Sequence, residues 1–286
     1  MKYHSIYRSD LFEDQTVIVT GGGSGIGRCT AHELASLGAS VAIVGRKAEK
    51  LEKVREEIEA AGGRVSCHVC DIREESMVRQ MIAEVIEHHG GIHGLVNNAG
   101  GQYPSPAKDL STKGWEAVIR NNLTGGFIVA REAYTQWMEA HGGSIVNIIA
   151  DIWGGMPTMA HTGAARAGML NFTETAACEW AQSGVRVNAV APGWIASSGF
   201  DTYDEAMQAE LRRLKDKVPL GRYGNEAEVS AAIVFLLSPG AAFITGSSIR
   251  VDGGVPNARH TWKPVPTDRS KPFDGFPLAT VPRCLQ

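Results

Sequence analysis

The sequence predicts an α/β fold: a single doubly wound parallel sheet with helices on both faces. Three observations carry this expectation. Short apolar runs alternate with helical patterns of 10–25 residues, the signature of βαβ units. The first run, Val17-Ile18-Val19, is apolar without interruption, as a strand covered on both sides must be. Glycines then stop successive helices, at Gly38, Gly62-Gly63 and Gly90-Gly91.

The elements follow in order. Residues 1–13 read as a loosely attached N-terminal arm, and strand one covers 16–20. Its helix runs over 25–37, where Ile26, Ala31, Leu34 and Ala35 repeat at helical spacing. Residues 40–45 form strand two and 47–61 a charged amphipathic helix; 64–70 form strand three and 74–89 the next helix. A short fourth strand, 94–97, runs into Asn98-Ala99-Gly100-Gly101. A long helix over 113–140 carries Gly125-Gly126, where it is open to interruption. Strand five is 144–149, and the helix over 160–182 is rich in small residues. Strand six is 186–191. Residues 201–217 read as a charged helix poorly tied to the core, within a mobile lid over 197–224. A helix over 226–237 and a last strand, 248–251, close residues 14–254 as one domain. Pro256, Pro264, Pro266, Pro272, Pro277 and Pro282 make 255–286 an extended arm, packed over its own or a neighbouring subunit.

Composition excludes several classes. A net charge of −3 over 286 residues gives no electrostatic reason for a nucleic-acid partner. No apolar run approaches the roughly 18 residues that span a membrane, and 1–12 lack a signal-peptide core. Five scattered cysteines suit a reducing compartment, so a cytoplasmic protein is expected. Cys67-His68-Val69-Cys70 has the spacing of a metal or redox pair. It alternates like a strand and has no second Cys/His pair, so no metal site is expected.

The candidate site begins at Thr20. Strand, glycine turn and helix start form a dinucleotide-phosphate cradle over Gly21, Gly23, Ser24, Gly25, Ile26 and Gly27. The glycines let the backbone approach a diphosphate, and the helix N-terminus offers free N–H groups with partial positive charge. In an open parallel sheet, ligands sit at the carboxyl ends of the strands. That rule gathers Thr20–Gly27, Gly45-Arg46, Asp71, Asn97–Gly100, Ile149–Asp151 and Ala191–Trp194 at one edge.

Here the sequence resembles the short-chain dehydrogenase/reductase family. The matching stretches are Thr20-Gly21-x3-Gly25-Ile26-Gly27, Cys70-Asp71-Ile72, Asn97-Asn98-Ala99-Gly100 and Asn121–Gly125. Arg186–Gly193 and Val251-Asp252-Gly253-Gly254 complete the set, in family order over roughly 13–254. The resemblance implies a seven-stranded Rossmann-type sheet, a nicotinamide cofactor and a homotetramer or homodimer. It places Asp71 and Ile72 at the adenine, Asn98, Ala99 and Gly100 along the adenosine and ribose, and Pro192, Gly193, Ile195 and Ser197 near the nicotinamide. An acidic residue at the end of strand two would grip the ribose hydroxyls of NAD. Arg46, followed by Lys47, stands there instead and favours NADP(H).

The chemistry departs from the family set of Asn, Ser, Tyr and Lys. Asn122 is retained. The Tyr position holds Thr162, the Lys position Arg166, and the Ser position falls near Ala150 with Asp151 beside it. A phenol beside an ammonium is a tunable acid; a threonine hydroxyl is not, and arginine stays protonated. Ketone reduction therefore loses its proton donor. Reduction of a conjugated C=C bond leaves an enolate, which needs hydrogen bonds or positive charge rather than immediate protonation. Asn122, Asp151, His161, Thr162 and Arg166 are the candidate catalytic residues: Thr162 supplies a hydroxyl, Arg166 charge, and Asn122 orders a water, with Asp151 or His161 as proton source. The stretches 143–149, 161–168 and 100–107 resemble the peroxisomal trans-2-enoyl-CoA reductases of the family, which implies an acyl-CoA or similar conjugated small-molecule substrate. Two alternatives stand beside this reading: a carbonyl reductase using Asp151 or His161 as its acid, and a non-catalytic NADP-binding subunit.

Overall fold

A computed structural model describes residues 1–258 and 269–286. Among these, seven parallel strands form one sheet: β1 (Thr16–Thr20), β2 (Ser40–Gly45), β3 (Arg64–Val69), β4 (Gly94–Asn97), β5 (Gly143–Ile148), β6 (Val185–Pro192) and β7 (Ser248–Val251). Their order is 3-2-1-4-5-6-7, so the winding reverses between β1 and β4. Val17 pairs with Val41 on one side and Gly94 on the other. All five residues of β1 are buried, which is why it reads as a continuous apolar run.

Helices cover both faces. Helix α1 (Gly25–Ser36), α2 (Ala48–Ala60) and the last helix bury one face around Leu34, Ile43, Val96 and Ile233. Helix α3 (Glu75–His89) and the long central helix bury the other around Ile18, Val85, Leu95 and Ile145. That central helix is α4 (Thr112–Ile119), α5 (Gly125–Ala133) and α6 (Glu139–His141), joined by π-turns at Arg120–Thr124 and Tyr134–Met138. Gly125 and Gly126 are themselves helical; the irregularity falls just before them. Helices α7 (Ala160–Glu179), α8 (Glu205–Leu214) and α9 (Glu226–Leu237) complete the set. Buried Asn97, Asn147 and Thr173 stitch β4, β5 and α7 together through hydrogen bonds of 3.0 and 2.9 Å.

The N-terminal arm is not loosely attached. Phe12 and Tyr3 are buried, and Glu33 of α1, fully buried, accepts hydrogen bonds from Tyr3, Ser5 and Ser230. A buried carboxyl needs such partners, and the arm supplies two of the three. The C-terminal arm packs on its own chain, burying Phe276 and Cys284, with a short helical turn at Arg283–Leu285. Pro264 and Pro266 lie outside the described residues. All five cysteines are free thiols, and Cys67 lies in β3. Among the described residues no helix is long and apolar enough to cross a membrane, and no His/Cys/Asp/Glu cluster could hold a metal ion.

Candidate active site

Thr20 and Asn97 end neighbouring strands at the reversal point, where this class of sheet opens a crevice. The buried Thr20 hydroxyl donates to the Val96 carbonyl at 3.2 Å and accepts the N–H groups of Asn98 and Ala99, each at 3.0 Å. Asn98 donates its side-chain amide back to the Thr20 carbonyl at 3.0 Å. The glycine turn rests on this bridge. Gly21 and Gly25 take φ of +68° and +57°. A Cβ on Gly27 would stand 2.4 Å from Asn98 Nδ2 and from the Gly21 carbonyl, so only glycine lets α1 start there. The Ser24 side chain caps no N–H of α1, and the first turn of α1 has no acidic residue. Those amides are the donor set that a diphosphate needs, so the turn fits a dinucleotide. Gly23 lies beside Lys50, and Ile26 packs against the core.

Arg46 is exposed directly after β2. Asp71 faces it across the edge and is already held by Arg73, whose Nε lies 2.8 Å from Oδ1. These hydrogen bonds from Arg73 pull the Asp71 carboxyl down to about 2. Asp71 therefore meets a ligand as half of an ion pair, a partnership not evident in the sequence. Ile72 is buried against Gly125, where a Cβ would meet its Cδ1 at 2.8 Å.

The π-turn at Arg120–Thr124 carries Asn122. Its Nδ2 donates to the carbonyls of Gly101 at 2.7 Å and Val118 at 3.0 Å, and its Oδ1 accepts the Gly101 N–H at 3.1 Å. Both amide protons are thus committed. The side chain clamps the loop after β4, which leaves only a second acceptor site on Oδ1 for a water. Gly100 fills the gap between Asn122 and Arg166, and a Cβ there would stand 2.6 Å from Oδ1 of one and Nη2 of the other.

Arg166 donates from Nη1 to the Ile148 carbonyl at 2.5 Å. Among the described residues no carboxylate pairs with it. Burial lowers its pKa to about 10, so it stays cationic at neutral pH. His161 and Thr162 open α7 and are fully buried. The Thr162 N–H donates to His161 Nδ1 at 2.8 Å, which places the proton of a neutral ring on Nε2. That Nε2 is buried without a hydrogen-bond partner. The Thr162 hydroxyl is 3.4 Å from the same Nδ1, and the Tyr103 ring meets His161 edge-on at 4.8 Å.

Asp151 follows β5, with Oδ1 buried and unpartnered. Burial, then the charge of Asp252, raises its pKa above the ordinary carboxyl range. Asp252 packs on Gly193, where a Cβ would come within 2.7 Å of its Cα. Pro192 ends β6, and Ile195 is buried and bridges to Gly224. The Ser197 hydroxyl accepts the Gly199 N–H at 3.4 Å and so caps the turn at Ser198–Thr202. Neither Tyr103 nor Tyr203 is bonded to a cation among the described residues; the Tyr203 hydroxyl accepts from Gln102 Nε2 at 3.0 Å.

Thr20 and Asp252 were named in the sequence only as members of the matching stretches, and the structure gives each a contact of its own. Thr20 was legible as a polar residue ending an apolar strand. The place of Asp252 depends on β7 lying beside β6.

Relatives share this architecture. A family profile described as enoyl-(acyl carrier protein) reductase matches residues 21–256. A probable 2,4-dienoyl-CoA reductase, (2E)-enoyl-CoA-producing, from Bacillus subtilis is 39% identical over 245 residues, 85% of this chain and 96% of that protein. A peroxisomal 2,4-dienoyl-CoA reductase, (3E)-enoyl-CoA-producing, from Danio rerio is 36% identical over 258 residues, 89% and 85% of the two chains. The solved structure of a citronellol catabolism dehydrogenase, AtuB, from Pseudomonas aeruginosa PAO1 superimposes with a TM-score of 0.81. It is 61% identical and covers 89% of this chain and 100% of its own. With such likeness along nearly its whole length, the protein is an oxidoreductase of the short-chain dehydrogenase/reductase family, whose members bind NAD or NADP.

Proposed function

We propose that the protein is an NADPH-dependent reductase of a conjugated C=C bond in an acyl thioester of the enoyl-CoA type. One observation carries the reading: Arg166, partly buried and without a carboxylate partner among the described residues, lies one turn into a helix whose start holds His161 and Thr162, where a phenol–ammonium pair would serve ketones. The names of two dienoyl-CoA reductases among the relatives support it.

When bound, the dinucleotide supplies a hydride. Gly21 to Gly27 and the start of α1 would hold its diphosphate, Arg46 would pair with the 2′-phosphate, and Asp71 with Ile72 would border the adenine. Asn98, Ala99 and Gly100 would line the adenosine and ribose, with Pro192, Gly193, Ile195 and Ser197 near the nicotinamide. As the β-carbon of the thioester is reduced, negative charge grows on its carbonyl oxygen. The candidate donors to it are His161 Nε2–H, which has no other partner, and the Thr162 hydroxyl, with Arg166 adding positive charge. Asp151, its carboxyl pushed above the ordinary range by burial and then by the charge of Asp252, is the candidate proton source for the α-carbon. Asn122 keeps the Gly100–Gly101 loop in place.

The test is NADPH oxidation against 2-enoyl-CoA, 2,4-dienoyl-CoA, ketone and aldehyde panels. Thioesters should turn over, and Asp151→Asn should lower kcat by about 10²-fold with NADPH affinity unchanged. Turnover confined to ketones or aldehydes would replace this reading with a carbonyl reductase using Asp151 or His161. Tight NADPH binding with no turnover of any panel member would leave a non-catalytic subunit.

A further inference from the structure

The C-terminal segment lies beyond the region matched to the family, which ends at residue 256. Residues 273–286 bury side chains against the domain in two places, beside hydrogen bonds of Phe273 with Asn225 and Glu228. At the first, Phe276 is buried in a cluster with Tyr3, Cys29 and Ala227, with the Arg28 guanidinium 5.1 Å above its ring. Gly275 also accepts the His4 N–H at 2.8 Å, so the two arms hold each other against α1.

The second contact is on the segment 197–224. Cys284 is buried with Phe200 and Leu211, and Trp194, Tyr203, Tyr223 and Leu285 pack around them. The Cys284 N–H donates to Asp201 Oδ1 at 3.2 Å, and its carbonyl accepts from Arg212 Nε at 2.9 Å. Arg283 lies 3.8 Å from Asp201 Oδ2. Among the described residues of 197–224, the buried apolar side chains are Phe200, Leu211 and Val218. Two of these three are buried together with Cys284, so this segment borrows its small core from the end of the chain. The contact continues inward: Tyr203 bonds Gln102, next to Tyr103, whose ring covers His161.

We propose that residues 282–286 position the wall formed by 198–217 at the substrate end of the site, with Cys284 and Leu285 as positioning residues for substrate rather than dinucleotide. The claim that the wall borders substrate rests on the proposed thioester reading; the seating of the wall by the tail does not. The glycine turn is held independently by Thr20 and Asn98.

The experiment compares the wild type with a chain ending at Val281, and with Leu285→Asp and Leu285→Met in the full chain. Trypsin cleavage at Arg212, Arg213, Lys215 and Lys217 should quicken by about 10-fold in the truncation and in Leu285→Asp. NADPH affinity should stay within about 2-fold, and KM for a medium-chain 2-enoyl-CoA should rise about 10-fold with a far smaller change in kcat. Leu285→Met should behave as wild type. Unchanged cleavage in both disrupted variants overturns the proposal, as does loss of NADPH binding in parallel with faster cleavage. If the wild type reduces no thioester, the thioester reading fails alone, and cleavage with NADPH affinity still decides whether the tail seats the wall.

Discussion

Asn122 and Gly101 are joined by reciprocal hydrogen bonds, amide to carbonyl at 2.7 Å and N–H to amide oxygen at 3.1 Å. The pair locks the loop after β4 onto a π-turn, in the manner of two facing peptide groups. Asn122→Ala should lower stability by about 1–3 kcal/mol, because the buried Val118 carbonyl loses its partner and the exposed Gly101 loses its clamp. It should also lower kcat/KM by at least about 10-fold. Denaturant titration and steady-state kinetics check both, and a variant with unchanged stability would show that the clamp is dispensable.

Arg166 predicts the opposite pairing of effects. Desolvation of a partly buried cation without a carboxylate works against the fold, so Arg166→Met should leave stability unchanged or raise it slightly. The same change should weaken NADPH binding and lower kcat/KM by about 10²-fold. Calorimetry beside fluorescence titration separates the two, and parallel losses would mark Arg166 as structural.

Arg46 should decide between the two dinucleotides. Its exposed guanidinium has room to fork onto a 2′-phosphate. Arg46→Ala should weaken NADPH binding by about 10-fold and change NADH binding by less than about 2-fold. Equal losses for both cofactors would refute the preference.

Glu226 sets a pH limit on stability. It opens α9, is buried, and has Oε1 3.8 Å from where a Cβ on Gly25 would stand. Burial lifts its pKa to about 7, against 4.5 for a free glutamate. The folded chain therefore keeps a proton that the unfolded chain has released. Its contribution is complete below about pH 4.5 and is lost as pH rises through 7, to a limit of about 3 kcal/mol. Denaturation between about pH 5 and 8 should show this fall, and Glu226→Gln should remove it. A slope that survives the substitution would assign it elsewhere.

The sheet was legible because buried parallel strands are continuous apolar runs: the expected strand at 16–20 coincides with Thr16–Thr20, and 94–97 with Gly94–Asn97. The glycine turn was legible because φ values of +68° and +57° leave few other residue types. Asn122 as a clamp was not, since a π-turn has no sequence period of its own and its partner is 21 positions away. The grip of the N-terminal arm was hidden for a similar reason. Tyr3 and Ser5 look like ordinary polar surface until α1 brings Glu33 beneath them. The Asp71–Arg73 ion pair joins residues only two positions apart, but nothing in the sequence says that the Arg73 side chain folds back rather than outward.

If the dinucleotide neutralises the desolvated Arg166 guanidinium as proposed, its binding ties the lifetime of the folded chain to its cofactor. A ligand that binds only the folded chain protects it in proportion to its concentration, by about 2.7 kcal/mol at a hundredfold excess over Kd. Under the proposed reading, a drop in the dinucleotide would slow turnover and also expose the folded chain to unfolding and proteolysis.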